Sequence, residues 1–365
     1  MTSLDPNAVG PNSAGPNSED TNDPGDPEHR QALRVVDAEA ARAHQRFSAQ
    51  ALTSLVSRNG ALAVLVIVMV IGFVTVPSFG TADNLRNTAL AASFLAIISA
   101  GMTFVIISGG IDLSVGSLYA VAVILTADMS KHGTWAAIVV PIAACAVAGL
   151  LQGFVIARLR LPPFIVTLAG LTGFRGLVFY ITKEGNRHPS VPGEPFFERF
   201  SKGTFLTVQN PVWVALAVFA VGWYVLNRTA FGQAVQAVGG NDTSAALMGL
   251  PVRRVKIIVY AISGATVGVA GLLSTGLSGG GQEARVGNAY ELSEIAAVVI
   301  GGTLLTGGVG SITGTLVGIS LLFVIQNLIV QGFNFNSYVQ QVVSGSFLLI
   351  VVILQALLSR RSETE

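Results

Sequence analysis

The stretch LAIISAGMTFVIISGGIDLSVGSLYAVAVIL, residues 95–125, decides what kind of protein this chain forms. Asp112 is its only charged residue, and the residues on both sides of it are apolar or small for several helical turns. A helix needs about 20 such residues to cross roughly 30 Å of hydrocarbon. The stretch therefore predicts two membrane helices that are separated by a glycine-rich break.

The rest of the chain has the same character. Hydrophobic residues make up 51% of the 365 and charged residues 11%, whereas soluble domains carry about 25% charge. Segments apolar enough to span number about ten, some of them short or interrupted by glycine. They lie at approximately 61–79, 86–108, 113–130, 135–157, 164–182, 211–226, 255–275, 291–305, 311–331 and 337–358. We expect an all-α membrane protein with about ten transmembrane helices.

Basic residues set the expected orientation, because Lys and Arg in short loops are retained in the cytoplasm. Each span takes the chain across the membrane, so positions separated by an even number of spans lie on the same side. The basic positions are separated in this way. These positions are Arg58, the pair Arg158 and Arg160, the group Arg228, Arg253, Arg254 and Lys256, and the pair Arg360 and Arg361. Both termini are then cytoplasmic in a multi-pass inner-membrane protein, and loop 183–210 is extracytoplasmic.

The chain divides into four regions by composition. Residues 1–30 are rich in Pro and Asn and predict a disordered cytoplasmic tail. Residues 31–59 mix apolar and charged positions and predict an amphipathic helix at the membrane surface. Residues 60–358 form the transmembrane domain, with a cytoplasmic loop at 228–254, and 359–365 is a second cytoplasmic tail.

An internal resemblance predicts two related halves. Ile107-Ser-Gly-Gly begins one glycine-rich segment that ends at Ser117, and Ile300-Gly-Gly-Thr begins another that ends at Ser311. Transporters often break helices at matching positions of two repeats, where unwound backbone faces a solute path. The alternative is that small residues only allow close helix packing.

Asp112 is the most informative side chain, because a charge at membrane depth costs at least about 2.5 kcal/mol and needs a partner. It is either an N-cap for the helix that follows or part of a solute path. The residues that we assign to a solute path or gate are Asp112, Ser114, Gly109, Gly110, Gly301, Gly302, Thr303 and Asn327. Asn327 belongs with Gln326 and Gln152, whose amides either bridge helices, the more general role, or hydrogen-bond a polyol.

Loop 228–254 predicts a short helix on the cytoplasmic side. Asn241, Asp242, Thr243 or Ser244 is expected to cap it, and Gly249 with Pro251 to end it. A compact helix with small and apolar residues suits a groove on a partner protein, although an ordinary helical loop has the same pattern. The residues assigned to this contact are Asn241, Asp242, Ser244, Ala245, Ala246, Gly249, Leu250 and Pro251.

Several classes of function are excluded. The four histidines lie outside the predicted spans with no ligand spacing, so we expect no metal site. The net charge of +1 argues against a nucleic-acid partner. No Gly-x-x-x-x-Gly-Lys-Ser/Thr loop is present, so the chain is not expected to hydrolyse ATP or to be an enzyme. Cys145 is the single cysteine, which excludes a disulfide within the chain.

Several blocks together resemble the permeases of ribose-, xylose- and galactose-type ATP-binding-cassette importers. The blocks are Ser108–Ser117, Pro163–Gly170 with Arg175-Gly176, Phe231–Pro251, Ile300–Thr303 and Gly310–Thr315, within a resemblance over about 60–358. It implies a second permease subunit, identical or paralogous, cytoplasmic ATPase subunits that bind ATP and Mg²⁺, and an extracytoplasmic solute-binding protein. It also implies that 244–251 forms the helix that couples to the ATPase.

The function expected from this resemblance is import of a monosaccharide or similar small polar solute across the inner membrane. Three alternatives stay open at this point. The solute could instead be an autoinducer, a nucleoside or an amino acid. The chain could be an ion-coupled secondary carrier, which Asp112 and the broken helices would suit. A structural membrane scaffold is the third.

Overall fold

The computed structural model describes residues 60–193 and 195–333, with isolated positions at 342, 345, 346 and 349. In chain order the helices are α1 Gly60–Thr75, α2 Ala82–Ile107, α3 Val115–Met129, α4 Thr134–Leu159, α5 Pro163–Ile181, α6 Phe196–Lys202, α7 Asn210–Arg228, α8 Ala230–Gly240, α9 Asp242–Leu247, α10 Val252–Ser278, α11 Tyr290–Ile300 and α12 Ile312–Phe333. A 3-10 turn, Ser130–His132, follows α3, and strands β1 Thr204–Phe205 and β2 Val208–Gln209 form an antiparallel pair.

Nine of the ten predicted spans coincide with helices. Six helices are long and apolar enough to cross a membrane, namely α2, α4, α5, α7, α10 and α12. Helices α1, α3 and α11 are shorter than a span requires; α3 has 15 residues and α11 has 11. The tenth predicted span, 337–358, and the predicted regions 1–30, 31–59 and 359–365 lie outside the continuously described residues.

Helix α10 packs against α2, α3 and α4, and small residues let it approach closely. A methyl group on Gly149 of α4 would lie 2.1 Å from the carbonyl oxygen of Tyr260, and one on Gly264 would lie 2.1 Å from that of Cys145. Only glycine fits at such contacts. Small residues at helix interfaces are the usual means of packing in lipid, because lipid chains remove the hydrophobic drive between helices.

The helices differ in how deeply they lie. In α2, 78% of the most apolar stretch is buried, whereas the corresponding value for α5 is 11%. Helix α2 is therefore a central helix, and α5 turns most of its apolar surface, including Phe164 and Ile165, outward. An apolar helix with an exposed apolar surface is stable where lipid is the solvent. The structure is accordingly a predominantly helical, multi-pass membrane fold.

Candidate functional site

The first glycine-rich segment is a sharp break between α2 and α3. Three backbone bonds close it: N–H groups of Ser108, Gly109 and Gly110 donate to the carbonyl oxygens of Phe104, Ile106 and Val105 at 3.0, 2.9 and 2.9 Å. Gly109 has a φ of +77°, which a glycine adopts without steric cost. The helix is thus ended by a turn that satisfies its last carbonyl groups, and the chain is redirected toward Asp112.

Asp112 holds this break to α10. Its Oδ1 accepts the backbone N–H of Ser114 at 3.0 Å and the Ser114 hydroxyl at 2.6 Å, and its Oδ2 accepts the Ser263 hydroxyl at 3.0 Å. The side-chain amide of Gln152 lies 3.1 Å from Ser114 Oγ. Asp112 is 1% exposed. Both carboxyl oxygens are therefore used inside the protein, and the bond to the Ser114 amide orders the start of α3 as a capping residue would.

The second glycine-rich segment repeats the same turn between α11 and α12. N–H groups of Gly301, Gly302 and Thr303 donate to the carbonyl oxygens of Ala297, Val299 and Val298 at 3.0, 2.9 and 3.2 Å. Gly302 has a φ of +88°. When Ile300 is aligned with Ile107, each of the three N–H donors has a counterpart at the same position in the first break, and it bonds to the equivalent carbonyl group. The sequence resemblance between the two segments is therefore a resemblance of backbone geometry.

The two breaks touch each other and helix α8. The N–H of Gly308 donates to the carbonyl oxygen of Ile107 at 2.9 Å. A methyl group on Gly239, near the end of α8, would lie 1.7 Å from that carbonyl oxygen and 2.6 Å from the Gly308 nitrogen. We call the contact among Ile107, Gly239 and Gly308 the glycine junction. It joins three backbones with no side chain between them.

Helix α9 follows α8 directly and is almost entirely exposed. The Asn241 side chain caps it by accepting the N–H of Ser244 at 2.8 Å, and Gly249, with a φ of +83°, ends it. Leu247 and Met248 are 85% and 71% exposed. Exposed large apolar side chains on a short, well-capped helix form a surface suited to a partner protein.

An ion pair fixes the start of α9 to α10. Lys256 Nζ lies 3.0 Å from Asp242 Oδ2. This hydrogen bond, together with the charge of the ammonium group, lowers the pKa of Asp242. The carboxylate is half-exposed, so solvent screens the interaction and its contribution to stability is small.

A cavity of about 810 Å³ lies at the opposite end of α10 from α9. Helices α2, α3, α10, α11 and α12 and the loop before α11 line it. Its polar lining comes from Asn87, Tyr119, Ser274, Gln282, Asn288, Tyr290, Ser293 and Gln326. The volume is in the range of small-molecule sites, and the neutral amide and hydroxyl groups suit a polar, uncharged ligand.

The comparisons with known proteins agree with this architecture. A family described as "Branched-chain amino acid transport system / permease component" matches residues 84–352. The chain belongs to this permease family. It is 36% identical to the ribose import permease protein of Bacillus subtilis (strain 168), over 80% of this chain and 90% of that protein.

Two further relatives cover similar shares. The ribose import permease protein of Escherichia coli (strain K12) is 35% identical over 82% of this chain and 93% of its own length. The L-arabinose ABC transporter permease protein of Azospirillum brasilense is 35% identical over 82% of this chain and 87% of its own. These relatives are named as permease proteins of transporters. The matching region covers most of this chain and most of each relative.

Seven of the eight residues assigned to a solute path lie in or beside the two breaks. Gly109 lies at the glycine junction, since a methyl group on Gly307 would lie 2.8 Å from both Gly109 Cα and the Gly239 carbonyl oxygen. Asp112 and Ser114 face α10 and α4, and Gly110, Gly301, Gly302 and Thr303 belong to the turns of the two breaks. Asn327 lies elsewhere, on α12. Its side chain exchanges hydrogen bonds of 2.9 and 2.8 Å with Asn84 of α2, where it bridges two helices.

Two other singled-out residues have structural contacts. Arg175 of α5 donates to the carbonyl oxygens of Ala284 and Val286 at 2.9 and 3.0 Å, which ties the loop before α11 to α5. Cys145 is buried, with its sulfur 3.8 Å from the carbonyl oxygen of Leu118. Neither lines the cavity.

Of the cavity residues, only Gln326 was singled out from the sequence, as an amide that bridges helices or hydrogen-bonds a polyol. Tyr119, Ser274 and Tyr290 come from three distant segments, and none stands in a recognisable motif. The useful indication would have been hydroxyl and amide side chains within or beside predicted spans, since polar groups at membrane depth tend to face a path or a partner helix.

Proposed function

We propose that this permease subunit imports a monosaccharide or similar small polar solute, driven by separate ATPase subunits and supplied by an extracytoplasmic solute-binding protein. The observation that carries the proposal is the identity of 35–36% to proteins named ribose and L-arabinose permeases over at least 80% of the chain. The neutral polar lining of the cavity is consistent with such a solute.

Six helices of the described residues are long enough to span the membrane, and the shorter helices are proposed to complete the topology. We infer that α1, α3 and α11 and the predicted helix at 337–358 bring the total to ten, with both termini cytoplasmic. Helices α3 and α11 are short because each adjoins a break. The matching backbone bonds at the two breaks support an arrangement of two related halves.

Helix α9 is the proposed contact with the ATPase. Asn241, Asp242 and Ser244 form its start, and Ala245, Ala246, Gly249, Leu250 and Pro251 complete the segment. The exposed Leu247 and Met248 give it an apolar tip. ATP and Mg²⁺ would bind to the partner, and this subunit would carry no catalytic step. A second permease copy would complete the pathway.

The glycine junction supplies a route for coupling. Because Gly239 contacts Ile107 and Gly308 without side chains between them, a displacement of α8 and α9 would push on both breaks at once. The cavity lies toward the other end of α10, about 40 Å along a 27-residue helix. The breaks would then open and close the cytoplasmic end of the path, with Asp112 and Thr303 in the gate.

Reconstitution tests this function. Proteoliposomes holding the permease with its ATPase, plus the solute-binding protein, should accumulate labelled D-ribose, L-arabinose, D-xylose or D-galactose only with ATP. Uptake by the permease alone under an ion gradient would support a secondary carrier and contradict the proposal. Because the family description names branched-chain amino acids, labelled leucine belongs in the same panel; uptake of leucine alone would identify an amino-acid permease instead.

A further inference from the structure

Helix α11 contains a carboxyl group that the coupling route does not use. Glu294 is 0% exposed, and neither of its side-chain oxygens has a hydrogen-bond partner in the described part of the chain. A buried carboxylate without partners is costly, and in a membrane protein such a group marks a functional site by default.

Glu294 lies on α11, the helix that contributes Tyr290 and Ser293 to the cavity. Tyr290 precedes it by one helical turn, so both side chains lie on the same face of α11. The Tyr290 ring packs on the ring of Tyr119, with centroids 5.3 Å apart, and both tyrosines line the cavity. Glu294 itself is not part of the cavity lining, whereas Tyr290 and Ser293 of the same helix are.

We propose that Glu294, Tyr119 and Tyr290 form a binding subsite for a polyhydroxy solute in the permease path, reached from the cavity when the two rings separate. The proposal rests on the function proposed above. Solute hydroxyl groups would donate to the carboxyl oxygens that lack donors in this conformation. The less polar face of the solute would pack on the aromatic rings, and Ser274 and Ser293 would contact its rim.

The surroundings favour a polyol over a metal ion. No group of three or more His, Cys, Asp or Glu side chains is arranged to hold a metal ion among the residues that the structure describes. The cavity side of the subsite presents hydroxyl and amide groups, which pair with solute hydroxyls as donors and acceptors alike. The rings also offer a flat apolar surface that an ion would not need.

Glu294→Leu tests the subsite in the complete transporter with ATPase and binding protein. An unpaired buried carboxyl that serves binding should be a stability cost, so the leucine variant should melt at the same or a higher temperature. The sugar transported per ATP hydrolysed should fall at least tenfold. Glu294→Gln, which keeps an acceptor oxygen, should lose less. Tyr290→Ala should also lose transport, whereas Tyr224→Ala, on the exposed surface of α7, should transport as the wild type does.

The outcomes distinguish a failure of the proposed import function from a failure of the Glu294 subsite alone. A wild-type complex that takes up no sugar of the panel overturns the proposed function and the subsite with it. Wild-type uptake together with an unchanged sugar-to-ATP ratio in Glu294→Leu overturns the subsite alone. A lower melting temperature for Glu294→Leu would mean that the carboxyl group has a structural partner, and it would also overturn the subsite.

Discussion

The two helix breaks share a backbone and differ in what holds it. In both, three successive N–H groups close the same turn around a glycine of positive φ. The first break is then secured by Asp112, whose two oxygens bind Ser114 and Ser263. The second has no such carboxylate; Thr303 Oγ1 accepts the N–H of Ser311 at 3.4 Å, and Thr315 meets Thr103 of α2 at 2.9 Å.

This difference separates the geometry of a break from its rigidity. Glycine placement alone produces the turn, because the turn needs a positive φ and bonds only backbone groups. The hydrogen bond that Ser263 of α10 donates to Asp112 is a further tie at the first break. The second loop is also more exposed, as Leu304, Leu305 and Val309 show. We expect the second break to move more readily when α8 pushes on both.

The largest effect should come from filling the glycine junction. In Gly239→Ala the new methyl carbon would lie 1.7 Å from the carbonyl oxygen of Ile107, and neither backbone can give way without moving a break. We expect a destabilisation of about 3 kcal/mol or more, with loss of ATP-driven uptake. Chemical unfolding of the purified permease in detergent measures the first, and the proteoliposome assay measures the second.

The neighbouring glycine supplies the matched control. A methyl group on Gly240 meets no atom within 4 Å, and Gly240 ends the same helix. Gly240→Ala should therefore fold and transport like the wild type. If the two alanine variants behaved alike, the junction would not be the close contact that couples α8 to both breaks.

A second comparison weighs the two polar ties directly. Asp112→Ala removes the acceptor for Ser114 and Ser263 and leaves buried donors unpaired, which should cost about 3 kcal/mol. Thr303→Val removes one long hydrogen bond at nearly constant volume and should cost about 1 kcal/mol or less. Unfolding of both variants in the same detergent gives the ranking. Equal losses of unfolding free energy in the two variants would show that Asp112 does not hold the first break more firmly than Thr303 holds the second.

The sequence predicted the parts of this fold that depend on local pattern. Long apolar runs placed nine helices because each run reflects burial in lipid or in the bundle. The capping residue of α9 and its end at Gly249 were also predictable, since both use neighbouring residues. The 291–305 segment was predicted too long, because the Gly301-Gly302 pair turns the chain after Ile300.

The contacts that give the site its shape were not predictable in this way. Nothing near Gly239 indicates that its backbone meets Ile107 and Gly308, which are distant in sequence. The aromatic wall of the cavity likewise depends on the packing of α3 against α11. Glu294 was within reach: it is a carboxylate inside a predicted span, and the reasoning applied to Asp112 applies to it equally.

A third prediction tests the feature that the breaks share. Gly109 and Gly302 have φ values of +77° and +88°, and a methyl group on either meets no atom closer than 3.8 Å. The cost of Gly109→Ala and Gly302→Ala should therefore be backbone strain alone, about 1–2 kcal/mol for each. Unfolding free energies that agree within error would support one common turn, whereas a clear inequality would contradict it.

The smallest effect concerns the ion pair that links α9 to α10. In the proposed coupling route, movement of α9 is passed on to both breaks. Because Lys256 lowers the pKa of Asp242 in the folded permease, the pair stabilises the fold above the ordinary carboxyl pKa of about 4 and loses this contribution as the pH falls through the lowered value. Asp242→Asn should cost less than about 1 kcal/mol at pH 7, and the difference from wild type should shrink toward zero below about pH 4. Unfolding in detergent across this pH range measures it, with Asp83→Asn, whose carboxylate is 90% exposed, as the control. A difference that persisted at low pH would show that the ionised Asp242–Lys256 pair is not what fastens α9 to α10.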